Sequence, residues 1–106
     1  MNTTTQNLLF KVSETPSIPV KGEAANYPVS RIFCVGRNYA DHVAEMGSPP
    51  DSSPVFFTKW AEAASNAPEI DYPSVTADWH HEIELAIAIG EGGANITAAD
   101  AWDHVW

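Results

Sequence analysis

Asp78-Trp79-His80-His81-Glu82-Ile83-Glu84-Leu85-Ala86-Ile87-Ala88-Ile89 is the stretch on which the fold turns. Read two residues apart, one parity holds His81, Ile83, Leu85, Ile87 and Ile89. The other holds His80, Glu82, Glu84, Ala86 and Ala88. Successive side chains alternate across a strand. The pattern therefore predicts a strand over residues 79–89 with one apolar face, and a second face that is polar first and then small.

On that strand Glu82 and Glu84 share a face, their Cα atoms ~7 Å apart. Their carboxylates can converge on one cation. All-oxygen coordination favours Mg2+, Mn2+ or Ca2+ over zinc. The plain alternative is a solvated face carrying two acids, and Glu-x-Glu spacing alone favours it. Two details favour a metal. The apolar parity pins the register, and Ala86 and Ala88 leave room for a pocket. Two carboxylates still make an incomplete site, because a tightly held divalent ion takes further ligands or several waters. Adjacent His80 and His81 point to opposite faces and cannot share one ion, which argues against zinc. His81, on the apolar parity, is expected in the core, and His80 behind the metal ligands.

Working outward, Arg31–Val35 and Val55–Thr58 are short β-branched and aromatic runs and predict two more strands. Between them lies a helix signal. Asn38 is an N-cap, Asp41 sits near the positive helix end, and Tyr39–Met46 are good helix formers. Gly47 suits the C′ position, and Pro49-Pro50 cannot continue the helix. His42 and Glu45 fall at i, i+3 and are neighbours on one face. A carboxylate beside an imidazole fixes its tautomer and raises its basicity, giving a base able to activate water. A surface His–Glu pair is the bland reading of the same spacing. The position of the helix, after Gly36 and between two strands, suits a lid instead. Lys59 and Arg37 each read as a surface cation or as a contact for a substrate carboxylate.

The remaining segments are weaker. Residues 1–9 are polar, and Phe10–Val12 could begin a strand. Ser13–Tyr27, with Pro16, Pro19 and Gly22, reads as an extended connector with turns. Ala61–Ser74 reads as loop with short turns. Gly90–Gly93 turns the chain. Thr97 then caps a helix expected from Ala98 through Trp106, with Trp102, Val105 and Trp106 in one apolar stripe. A helix still running at the last residue leads to the expectation that the chain is truncated.

Bulk properties narrow the class. The 106 residues suffice for one small domain. Five basic and 14 acidic residues give a net charge of −9, which disfavours nucleic acid and suits carboxylates gathered round a cation. The one cysteine, Cys34, allows no intramolecular disulfide, fits a reducing cytoplasm, and reads as a small buried apolar residue. No signal peptide is visible at the start, and the longest apolar run, Leu85–Ile89, is too short to cross a bilayer. The four tryptophans read as packing or oligomer contacts.

Three stretches together resemble the fumarylacetoacetate hydrolase family. Ile32-Phe-Cys-Val-Gly-Arg-Asn-Tyr-Ala-Asp-His-Val-Ala-Glu45 is similar to its strand-then-lid motif, G-R-N-Y-x-x-H-x-x-E. Pro54-Val-Phe-Phe-Thr-Lys59 is similar to its next strand, and Asp78–Leu85 to its metal-binding strand with the E-x-E pair. Pro16–Val20 and Tyr27–Ile32 most resemble the fumarylpyruvate hydrolase and acylpyruvase branch. The resemblance implies an α+β, mainly β fold, a mixed β-sandwich roll of which only the amino-terminal part is present. Residues 1–15 would lead in, and 30–106 would begin the catalytic domain. It implies a water-activating pair in His42 and Glu45, Mg2+ ligands in Glu82 and Glu84, and substrate contacts in Arg37 and Lys59. The implied reaction is metal-dependent hydrolysis of a carbon–carbon bond in a 1,3-diketo acid such as fumarylpyruvate, by a cytoplasmic homodimer of aromatic catabolism. Oxaloacetate decarboxylation within the same family is one alternative, and a small non-catalytic binding module is another. Trp60 stands where the family usually has proline after the lysine. The family's third acidic ligand and a later active-site lysine would lie beyond residue 106.

Overall fold

The computed structural model describes residues 6–36, 47 and 53–106. They form two units, Met1–Ile70 and Asp71–Trp106. Regular structure is mainly β with short 3-10 turns.

In the first unit, β1 (Ser17–Ile18) pairs antiparallel with β2 (Tyr27–Pro28), in the register Ser17↔Pro28 and Ile18↔Tyr27. The Val29 amide donates to Pro16 O at 2.7 Å and extends the pairing past Pro28. Between them the chain reverses through a turn in which Glu23 N–H donates to Val20 O at 3.1 Å. Gly22 takes φ +85 there, a left-handed value that a Cβ would penalise. The connector expected over 13–27 is thus a small hairpin. Val29 beside it is buried. Phe10–Val12 forms no strand.

The two strands predicted around the lid are present. β3 (Ile32–Gly36) pairs antiparallel with β4 (Val55–Lys59), from Ile32↔Lys59 to Gly36↔Val55. Directly opposed residues share a face, so Ile32, Cys34 and Gly36 lie with Lys59, Phe57 and Val55. Phe57 does reach across to Gly36, where a Cβ would sit 3.7 Å from its Cε1. Cys34 is half-buried rather than enclosed. Phe33 and Phe56 are both exposed, and the Arg31 guanidinium sits 5.9 Å from the Phe33 ring centre. After β4 the chain makes a 3-10 turn at Ala61–Ala63.

The second unit corrects two expectations. No strand forms along 79–88; only Ile89 makes an isolated antiparallel bridge, to Val105. Alternation selects which face would be buried, but a strand also needs a neighbour to satisfy its backbone, and no described segment supplies that ladder. Accordingly Ile83 is 91% exposed and Leu85 81%. His81, expected in the core, is exposed as well.

The helix expected through Trp106 is a 3-10 turn, Ala101–His104. Val105 swings to extended backbone (φ −81, ψ 135), and Trp106 N–H donates to Ala88 O at 2.9 Å. Pairing with the 88–90 backbone has replaced helical continuation. Thr97 does fasten the start of this turn: its Oγ1 accepts from Asp100 N–H at 3.3 Å and donates to the Asp100 carboxylate at 2.7 Å.

Candidate functional site

The acidic pair lies in the second unit. Glu82 and Glu84 stand two residues apart on the 79–88 segment, and both are exposed. Oxygen donors of this kind suit a hard cation. Mg2+ in particular is commonly held by one or two carboxylates, with waters and substrate oxygens completing the shell. The donor set therefore fits a divalent ion in kind. Among the described residues no group of three or more His, Cys, Asp or Glu side chains gathers that could hold a metal alone. Glu82 and Glu84 would hold such an ion with water or substrate as co-ligands.

The chain enters this segment through a fastened loop. Tyr72 Oη accepts from Trp79 N–H at 3.0 Å. The two rings meet edge to face, with centroids 5.4 Å apart and planes at 89°, a geometry aromatic quadrupoles favour. Inside the loop, Asp78 N–H donates to Thr76 Oγ1 at 3.1 Å. His80 Nε2 lies 2.6 Å from Asp78 Oδ1. His80 thus pairs with a carboxylate beside the acidic pair. The Tyr72–Trp79 contact gave no sequence signal, since a contact closed across seven residues of loop follows no strand or helix period.

On the far side of the acidic pair, Gly90 and Glu91 N–H both donate to His104 O, at 2.8 and 3.2 Å. His104 Nδ1 donates to Glu91 O at 2.9 Å. An open apolar hollow of about 710 Å³ lies here, with Ile87, Ile96, Trp102 and Val105 in its wall.

In the first unit, Lys59 closes β4 opposite Ile32, while β3 ends at Gly36, opposite Val55. Lys59 therefore stands at the other end of the hairpin from Gly36, roughly 13 Å along the strand direction at about 3.3 Å per residue. Its exposed ammonium is open to a ligand carboxylate. Arg37, His42, Glu45 and the helix expected around them lie outside the described residues. Among the described residues, no helix is long and apolar enough to cross a membrane.

Comparison with known proteins identifies the family to which these features belong. The family model for the fumarylacetoacetate (FAA) hydrolase C-terminal domain matches residues 31–106. The chain belongs to the fumarylacetoacetate hydrolase family. Among curated relatives, the mitochondrial oxaloacetate tautomerase FAHD1 of Bos taurus is 43% identical over 90 residues, 77% of this chain and 41% of that protein. The oxaloacetate tautomerase YisK of Bacillus subtilis (strain 168) is 40% identical over 83 residues, 74% of this chain and 28% of that protein. Among solved structures, the fumarylpyruvate hydrolase of Pseudomonas aeruginosa, in complex with Mn2+ and pyruvate, is 44% identical with a TM-score of 0.87. That match covers 94% of this chain and 46% of that one. The chain thus spans less than half the length of these relatives.

Proposed function

We propose that these 106 residues belong to an enzyme that hydrolyses the carbon–carbon bond of an acylpyruvate, such as fumarylpyruvate, with the help of a divalent cation, Mg2+ by preference. The observation that carries this reading is the acidic pair Glu82-x-Glu84 in a family member. It is supported by the likeness to a fumarylpyruvate hydrolase solved with Mn2+ and pyruvate.

Bound between Glu82 and Glu84, the cation would act as a Lewis acid on the α-keto acid oxygens of the substrate. The chain's own residues do the rest. Glu82 and Glu84 each give a carboxylate oxygen and fix where the keto-acid head sits. Arg37 and Lys59 supply positive charge for carboxylates of the substrate. Glu45 holds the His42 imidazole in its basic tautomer, and His42 takes a proton from water. The resulting hydroxide forms the new C–O bond at the distal carbonyl. The C–C bond breaks toward the pyruvate side, which leaves as the enol and regains a proton at carbon. One water is consumed, and a carboxylic acid and pyruvate are released. The single cysteine and the family resemblance support a cytoplasmic homodimer as its setting.

The relatives named as oxaloacetate tautomerases favour one second reading. The same residues would move a proton between carbon and oxygen of oxaloacetate without attacking it. The deciding experiment uses the product of the complete reading frame, assayed with Mg2+ on fumarylpyruvate and on oxaloacetate. The expected result is stoichiometric pyruvate from fumarylpyruvate, abolished by a chelator. Accelerated enol–keto exchange of oxaloacetate with no pyruvate from any acylpyruvate would establish tautomerisation instead.

A further inference from the structure

We draw no further inference here: the strongest candidate, the open apolar hollow of the second unit with Ile87, Ile96, Trp102 and Val105 in its wall, is an apolar face of a chain that spans less than half the length of its relatives, and nothing in the structure shows what covers it.

Discussion

The β3–β4 hairpin and the segment 79–89 carry comparable strand signals and reach different ends. Both are rich in β-branched and aliphatic residues. Ile32–Gly36 finds Val55–Lys59 and forms a five-residue antiparallel ladder. Residues 79–88 find no ladder, and only Ile89 is bridged. The difference lies in where the partner is. The hairpin brings its own second strand, so the backbone donors and acceptors on its facing edges are paired within the unit. The 79–88 segment has a more regular alternation and the larger apolar face, yet Ile83 and Leu85 point into solvent. Alternation shows which face a strand would bury. It says nothing about whether a neighbour exists to make it a strand.

In the function proposed above, the two regions also divide the chemistry. The hairpin's connection, residues 37–54, carries His42 and Glu45, and the unladdered segment carries Glu82 and Glu84. The largest expected effect tests the segment. In the product of the complete reading frame, Glu84→Ala should abolish Mg2+ dependence and lower turnover about a thousandfold, since metal polarisation supplies several kcal/mol to such reactions. Steady-state rates across a Mg2+ titration are the measurement. Unchanged turnover would reduce Glu82-x-Glu84 to a solvated pair and leave the hairpin as the region with chemistry.

The next effect tests the hairpin's connection. His42→Ala in the same protein should leave Mg2+ affinity intact and slow the chemical step by about 10²–10⁴-fold, the usual contribution of a general base. Calorimetric Mg2+ binding alongside single-turnover kinetics separates the two quantities. A collapse of Mg2+ affinity would place His42 among the ligands and erase the division between the regions.

How far the sequence could be read follows from the same contrast. Short-range features were legible: β3 and β4 and the Thr97 fastening depend on residues close in the chain or on a self-contained hairpin. Lys59 at the end of β4 was legible for the same reason. The 79–89 strand, the burial of His81 and the helix to Trp106 were misread because each depends on what packs alongside. At Val105 the backbone had two options, another helical turn or a bridge to Ile89. The bridge prevails, with Trp106 N–H on Ala88 O and Gly90 N–H on His104 O. Nothing in the i, i+3, i+4 spacing of Trp102, Val105 and Trp106 could weigh that competition. The Tyr72–Trp79 clasp was invisible because it joins two loop residues with no period between them.

Two glycine substitutions sharpen the comparison at the level of packing. At Gly90, a Cβ would fall 3.2 Å from Trp106 Cβ and 3.4 Å from its Cα. Those atoms belong to the bridge itself and cannot swing away. Gly90→Ala should therefore loosen the pairing of Ala88 and Ile89 with Val105 and Trp106. The expected cost is about 1 kcal/mol, the low end for overpacking. Faster hydrogen exchange at the Trp106 amide would report it.

The hairpin's Gly36 should behave in the opposite way, with the smallest effect of the series. Its Cβ would meet Val55 O at 3.6 Å, Phe57 Cε1 at 3.7 Å and Val55 Cβ at 3.9 Å, all ordinary van der Waals separations. Gly36 lies in β3, outside the left-handed region that only glycine occupies freely. Alanine there removes freedom from the unfolded chain without straining the folded one, so Gly36→Ala should stabilise the hairpin by about 0.5 kcal/mol. Slower exchange of the β3 amides is the expected reading. Faster exchange, comparable to that caused by Gly90→Ala, would mean that the ladder tolerates no more crowding than the lone bridge. The hairpin's advantage would then lie in the number of its hydrogen bonds and not in the fit of its faces.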